Sequence, residues 1–130
     1  LPDRSARAGV KVTILQGSEP ESSRAFDLVL ADVPCSGSGA WRRSPEGKWR
    51  FDPPALERLL QVQASILDRA AGLVAPGGHL AYATCSLLQA ENADQIAAFQ
   101  ARHPFALVAS RRLTPLDGAD GFYIAILKRV

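Results

Sequence analysis

The sequence has little of what would mark a secreted, membrane or metal-stapled protein. It has two cysteines, too few for a secreted disulfide framework. Two histidines, with no C-x-x-C or H-x-x-x-H spacing, leave a zinc site short of ligands. No apolar run approaches the ~18 residues of a membrane span, and the start, LPDRSARAGV, has no apolar signal core. The net charge is only +2, so affinity for nucleic acid must come from local clusters. There is no methionine at all, which points to a fragment or a trimmed chain. The 130 residues are enough for one domain, and 47% hydrophobic with 22% charged is an ordinary globular balance. A cytoplasmic location is the default.

What is present centres on residues 26–43, FDLVLADVPCSGSGAWRR. An apolar run ends in Asp32, then Pro34, Cys35, a small-residue loop and the pair Arg42-Arg43. A short run apolar on both faces and bounded by turns predicts a buried strand of a parallel sheet. Ligands of open α/β sheets sit beyond the carboxyl ends of such strands, where Asp32 and Cys35 would lie. Residues 77–86, GGHLAYATCS, repeat the form: turn, apolar strand, cysteine at the exit. Two neighbouring strands would bring both thiols to one rim, with sulfurs within about 10 Å given the ~4.8 Å strand spacing.

The rest of the chain reads as follows. Residues 1–8 resemble the last turns of a helix, with Gly9 just past its end. Residues 10–15 alternate apolar and polar and predict a strand. The strand at 26–32 follows, then a long irregular connection over 34–53, a length that often carries function. Pro53-Pro54 open a helix whose apolar positions, from Leu56 to Leu73, keep helical spacing until Pro76-Gly77-Gly78. Residues 79–84 predict a strand and 87–102 a helix with Ile96, Ala97 and Phe99 on one face. Strands at 105–109 and 122–127 close the chain. No internal repeat is seen.

These motifs resemble a known family. DVPCSGSG is similar to the Asp-Ala-Pro-Cys-Ser-Gly-Thr/Ser-Gly signature of RNA cytosine-C5 methyltransferases, and ATCSLLQAEN to their second signature, with Glu91 and Asn92 as its Glu-Asn. Arg42, Arg43, Pro45, Lys48 and Trp49 resemble the Arg-Arg-x-Pro-x-x-Lys-Trp of the bacterial ribosomal RNA enzymes of Sun type. Asp120-Gly121-Phe122-Tyr123 resembles their closing strand, and the likeness runs the length of the chain. It implies an α/β fold: a partial Rossmann-like, doubly wound methyltransferase sheet lacking its first two strands and ending in an antiparallel hairpin. Residues 1–130 would be the C-terminal portion of one catalytic domain. The implied cofactor is S-adenosylmethionine and the implied partner ribosomal RNA. Neither the family's glycine-rich cofactor turn nor its ribose-holding acid is present, and Gly17-Ser18 stands where the family has Gly-Asp.

The implied chemistry is covalent. C5 of cytosine attacks a methylsulfonium only after a thiolate has added to C6, and a base must then remove the C5 proton. The resemblance makes Cys85 the nucleophile and Cys35 the group that assists release. It places Asp32 at N3 and at the edge of the methyl donor, with Pro34 and Ser18 as further cofactor contacts. Arg42, Arg43, Lys48 and Trp49 become the RNA contacts, beside Trp41 and Arg50 in a basic, aromatic loop. Blander readings stand beside these. The cysteines could be inert and buried or joined as a disulfide, and the tryptophans could anchor the loop. Other functions are a non-catalytic RNA-binding module of this fold, or a thiol redox or hydrolytic enzyme, which a Cys–His contact would favour. A sheet missing two strands would leave 26–32 with an open apolar edge, inviting self-association or direct pairing with 10–15.

Overall fold

The computed structural model describes residues 2–14 and 25–130. Helix α1 (Pro2–Arg7) ends on Gly9 at φ 65°. Its N–H donates to the Ala6 carbonyl, as a left-handed residue past a helix end does. Strand β1 (Phe26–Asp32) leads into the long connection, which holds a 3-10 turn (Ser38–Ala40) and helix α2 (Glu46–Arg50). Helix α3 (Pro53–Leu73) starts where Asp52 accepts from the Ala55 N–H at 2.8 Å, with prolines in positions that need no donor. Strand β2 (Val74–Thr84), a 3-10 turn (Gln89–Glu91) and helix α4 (Ala93–Gln100) follow. Strand β3 (Phe105–Leu113) and strand β4 (Phe122–Arg129) close the chain.

The strands form one sheet in the order β1-β2-β4-β3. β1 and β2 are parallel, with Asp32 opposite Ala83, while β4 runs antiparallel to both β2 and β3. Helix α3 packs on β1 and β2, and α4 packs against α3. The core lies between them. Leu80 and Tyr82 of β2 and Ala125 and Leu127 of β4 meet Leu67 of α3 and Ile96 and Phe99 of α4. Alternation along β2 and β4 sends these residues to the helix-covered face.

Four expectations change. Residues 10–14 form no strand: they pair with nothing in the sheet, and Val10, Val12 and Ile14 are all exposed. Leu15 lies outside the described residues. Alternation marks a strand only where a neighbour accepts its ladder, and β2 is the one partner of β1 among the described residues. Second, β2 begins at Val74, directly at the end of α3, so Pro76-Gly77-Gly78 lie inside the strand. They are taken up by a register shift between Phe26 and Leu28. Third, the helix expected over 87–102 is split at Asn92, whose backbone (φ −114°, ψ −99°) is not helical, and Ala97 faces out rather than in with Ile96 and Phe99. Finally, only Ala31 of β1 is buried, because this strand is the sheet's edge. Leu28 and Leu30 are 62% and 63% exposed.

Candidate active site

The parallel register sets the site. Asp32 faces Ala83, and the ladder runs one residue further through the Val33 N–H to the Ala83 carbonyl at 3.2 Å. Both chains then leave the sheet on the same rim. Cys35 and Cys85 come out side by side, their Sγ atoms 3.3 Å apart and both thiols free. Cys85 is exposed and Cys35 half-buried. Burial pushes the Cys35 thiol up to about 12, and the neighbouring Cys85 thiol adds to the rise against an opposing hydrogen bond from the Gly37 backbone. Cys35 therefore holds its proton at neutral pH.

Beneath the thiols lies a polar cluster centred on Glu91, which is fully buried. Its carboxyl group accepts from the Ser36 N–H at 2.8 Å, the Ser36 hydroxyl at 2.5 Å and the Gln63 amide at 3.0 Å, and from the Ser86 hydroxyl. Ser36 follows Cys35 and Ser86 follows Cys85, so one side chain clamps both cysteine loops. A buried carboxyl group with no cation beside it is tolerable only when its oxygens are met this fully. Tyr82 donates to the Glu91 carbonyl at 2.6 Å, and its burial raises its own pKa far above the phenol range. Asn92 accepts from Thr84 at 2.7 Å and donates to the Ser86 carbonyl at 2.9 Å.

The two loops also touch directly. The Gly39 N–H donates to the Cys85 carbonyl and the Gly121 N–H to the Gly39 carbonyl, each at 3.0 Å. A Cβ on Gly39 would stand 2.1 Å from the Gly121 oxygen. Glycine is required there by backbone contact. The sequence features Ser-Gly-Ser-Gly and Asp-Gly-Phe-Tyr thus meet in space.

The family described as 16S rRNA methyltransferase RsmB/F matches residues 3–128. The chain belongs to the RsmB/F family. Ribosomal RNA small subunit methyltransferase B of Klebsiella pneumoniae is 40% identical over 142 aligned positions, covering 98% of this chain and 33% of that protein. The chain thus spans about a third of the length of such curated relatives. Among solved structures, PH0851 superposes with TM-score 0.85 at 31% identity, over 97% of this chain and 33% of that one. NSun6 from Pyrococcus horikoshii, solved with SFG, superposes at 0.83 and 24% identity over 99% and 38%, a likeness of fold. The four strands are part of the Rossmann-like sheet of S-adenosylmethionine-dependent methyltransferases.

Within this RsmB/F sheet the expected residues are distributed unevenly. Asp32, Pro34, Cys35 and Cys85 share one rim, and Asp32 and Pro34 are exposed. Ser18 lies outside the described residues. Arg42 and Lys48 are exposed, whereas Arg43 forms an ion pair with Asp120. The tryptophans divide: Trp49 is 83% exposed with the Lys48 ammonium 6.0 Å from its ring centre. Trp41 packs at a tilt of 58° against Phe51, ring centres 5.7 Å apart, its indole nitrogen buried. Neither thiol contacts a histidine among the described residues. His103 instead meets Asp68 at 2.8 Å. Among the described residues no cluster could hold a metal ion, and no helix is long and apolar enough to cross a membrane.

Gln63, Ser36, Ser38 and Ser86 were not expected to matter. Gln63 had a signal: it is a polar residue in the apolar stripe of α3, three after Leu60 and four before Leu67. The serines had none beyond their place next to the cysteines.

Proposed function

We propose that this RsmB/F chain, as the C-terminal portion of a catalytic domain, carries the nucleophile and release machinery of cytosine-C5 methylation in small-subunit ribosomal RNA. The observation that carries this reading is the thiol pair. One sulfur is exposed, its neighbour at 3.3 Å is half-buried, and the buried one keeps its proton. A nucleophile must reach substrate as thiolate, and Cys85 is the accessible thiol. Its sulfur bonds to C6 of cytosine, and the electron pair displaced toward C5 makes that carbon nucleophilic. Once C5 carries the methyl group, a base takes the C5 proton, the C5–C6 double bond returns and the Cys85–C6 bond breaks. Cys35, neutral and adjacent, keeps its proton and donates a hydrogen bond from its S–H to the departing thiolate. Asp32, exposed at the end of β1, accepts a hydrogen bond from N3 once addition at C6 has made that nitrogen basic and it has taken up a proton. Arg42, Lys48 and Trp49 meet phosphates and a base, with Arg43 reaching them only by leaving Asp120.

The family's methyl donor, S-adenosylmethionine, supplies an electrophilic methyl group when bound. The described residues fit one wall of such a site, through Asp32 and Pro34. Beyond the open edge of β1 they offer no further strand or turn. The set is therefore incomplete, and every step above belongs to the chain's own residues. For the 130-residue chain alone, this favours a second reading, an RNA-binding module without turnover. Calorimetry with S-adenosylmethionine separates the two.

The roles are tested in the full-length protein with target RNA on a denaturing gel. Cys85→Ala should lose both methylation and the covalent adduct. Cys35→Ala should form the adduct and keep it, since release is the impaired step. Adduct retained by Cys85→Ala would reverse the assignment.

A further inference from the structure

Gln63 sits in the middle of α3, fully buried, where the helix presents its apolar stripe. Its amide donates to two acceptors, the Pro34 carbonyl and Glu91 Oε1, each at 3.0 Å. The Pro34 carbonyl belongs to the peptide that joins Pro34 to Cys35. The Gln63 side-chain oxygen accepts from the Gln95 amide of α4 at 3.3 Å, and the Gln95 amide also donates to the Leu60 carbonyl at 2.7 Å. That contact fixes which way the Gln63 amide points. A rigid helix thereby holds the backbone beside one cysteine and the carboxyl group that clamps both. The Cys85 side has holders of its own. The Ser86 N–H donates to the Thr84 hydroxyl at 3.2 Å, and the Asn92 amide donates to the Ser86 carbonyl at 2.9 Å, both outside the Cys35 loop. Losing Gln63 thus loosens the Cys35 side while leaving Cys85 in place.

We infer that Gln63 is a positioning residue that holds Cys35 at the distance from Cys85 needed for release of the methylated base. This rests on the proposed methyltransferase reading and deepens it. If Cys35 assists departure of the Cys85 sulfur, an error of about 1 Å in its place slows that step by up to ~100-fold while attack by Cys85 proceeds. The signature is a shift between steps, which general loss of structure would not produce.

The variant is Gln63→Leu, which keeps the buried volume and removes both donors. In the full-length protein with target RNA, kcat should fall about tenfold or more, KM for RNA should stay within about twofold, and adduct should accumulate on a denaturing gel. A second measurement does not depend on methylation. Phenylarsine oxide bonds its arsenic to two thiols at once, with loss of water, so its capture rate reads the sulfur pair directly. Capture should slow in Gln63→Leu while single-thiol alkylation of Cys85 does not. Wild-type kcat, adduct level and capture rate in a folded Gln63→Leu would overturn the inference. If wild-type protein forms no adduct, the functional reading fails and the arsenical rates still decide the role of Gln63. Should Gln63→Leu fail to fold, Gln95→Leu takes its place. It frees the Gln63 amide to turn, so the same shifts are expected in smaller degree, and their absence overturns the inference.

Discussion

At the scale of single residues, the two cysteines differ by burial, and burial has a pH consequence. Cys35 releases its proton at about 12 where an ordinary thiol does so near 9.0. Between those values the unfolded chain has given up a proton that the folded chain keeps. The folded state binds more protons there, so stability falls as pH rises from 9 toward 12, and below 9 this contribution is fully present. Removing the thiol removes that slope. Urea unfolding of wild type and Cys35→Ser at pH 8, 9.5 and 10.5 should show the wild type losing stability more steeply. Parallel lines would mean that the thiol is not desolvated as its surroundings indicate. Alkylation mapped by mass should agree, with Cys35 modified slowly at pH 8 because its thiolate is scarce.

Elements carry the next level, and here the sequence was legible in part. Both strand–cysteine units could be read because a short apolar run followed by a turn has one common outcome in an α/β sheet, and parallel pairing of the two puts both thiols on one rim. The Val10–Ile14 alternation misled because period two states only that a strand could form, while a partner decides whether it does. The burial of Glu91 was hidden because a first-turn acid looks the same on a surface. Its four donors come from three separate stretches of chain. The two glycine motifs, 82 positions apart in sequence, could not be seen to touch, and their contact yields a prediction. In Gly39→Ala the new methyl meets the Gly121 backbone, so the loop must shift and the Gly39 bonds to Cys85 and Gly121 weaken. We expect a loss of about 1–3 kcal/mol together with impaired thiol pairing. Gly37→Ala is the control. Its φ of 67° disfavours a side chain, yet nothing lies within 4 Å of the new methyl, so about 1 kcal/mol is expected. Equal unfolding midpoints for the two variants would show that the glycine contact does not hold the loops together.

On the scale of the whole molecule, β1 decides behaviour. Among the described residues it is an edge strand with Phe26, Leu28 and Leu30 exposed, and a groove of about 250 Å³ lined by Val29, Leu30, Ile66, Ala70 and Leu73 lies beside it. Exposed apolar edges offer unpaired N–H and C=O groups to any strand that arrives, and residues 10–14 do not cover this one. The 130-residue chain should therefore associate through β1 in a concentration-dependent way. A lysine at position 30 should suppress this without unfolding the sheet, because Leu30 is outside the core and its side chain faces solvent. On the function proposed above, the same open edge leaves Asp32 and Pro34 as a single wall for the methyl donor. The isolated chain should then show no measurable heat with S-adenosylmethionine and no methyl transfer. Sedimentation of wild type and Leu30→Lys, with a cofactor titration of each, tests both statements. A monomeric wild type would show that this apolar edge does not drive association. Micromolar binding by that monomer would place the donor against β1 and α3 alone, and the site would then be complete within one chain.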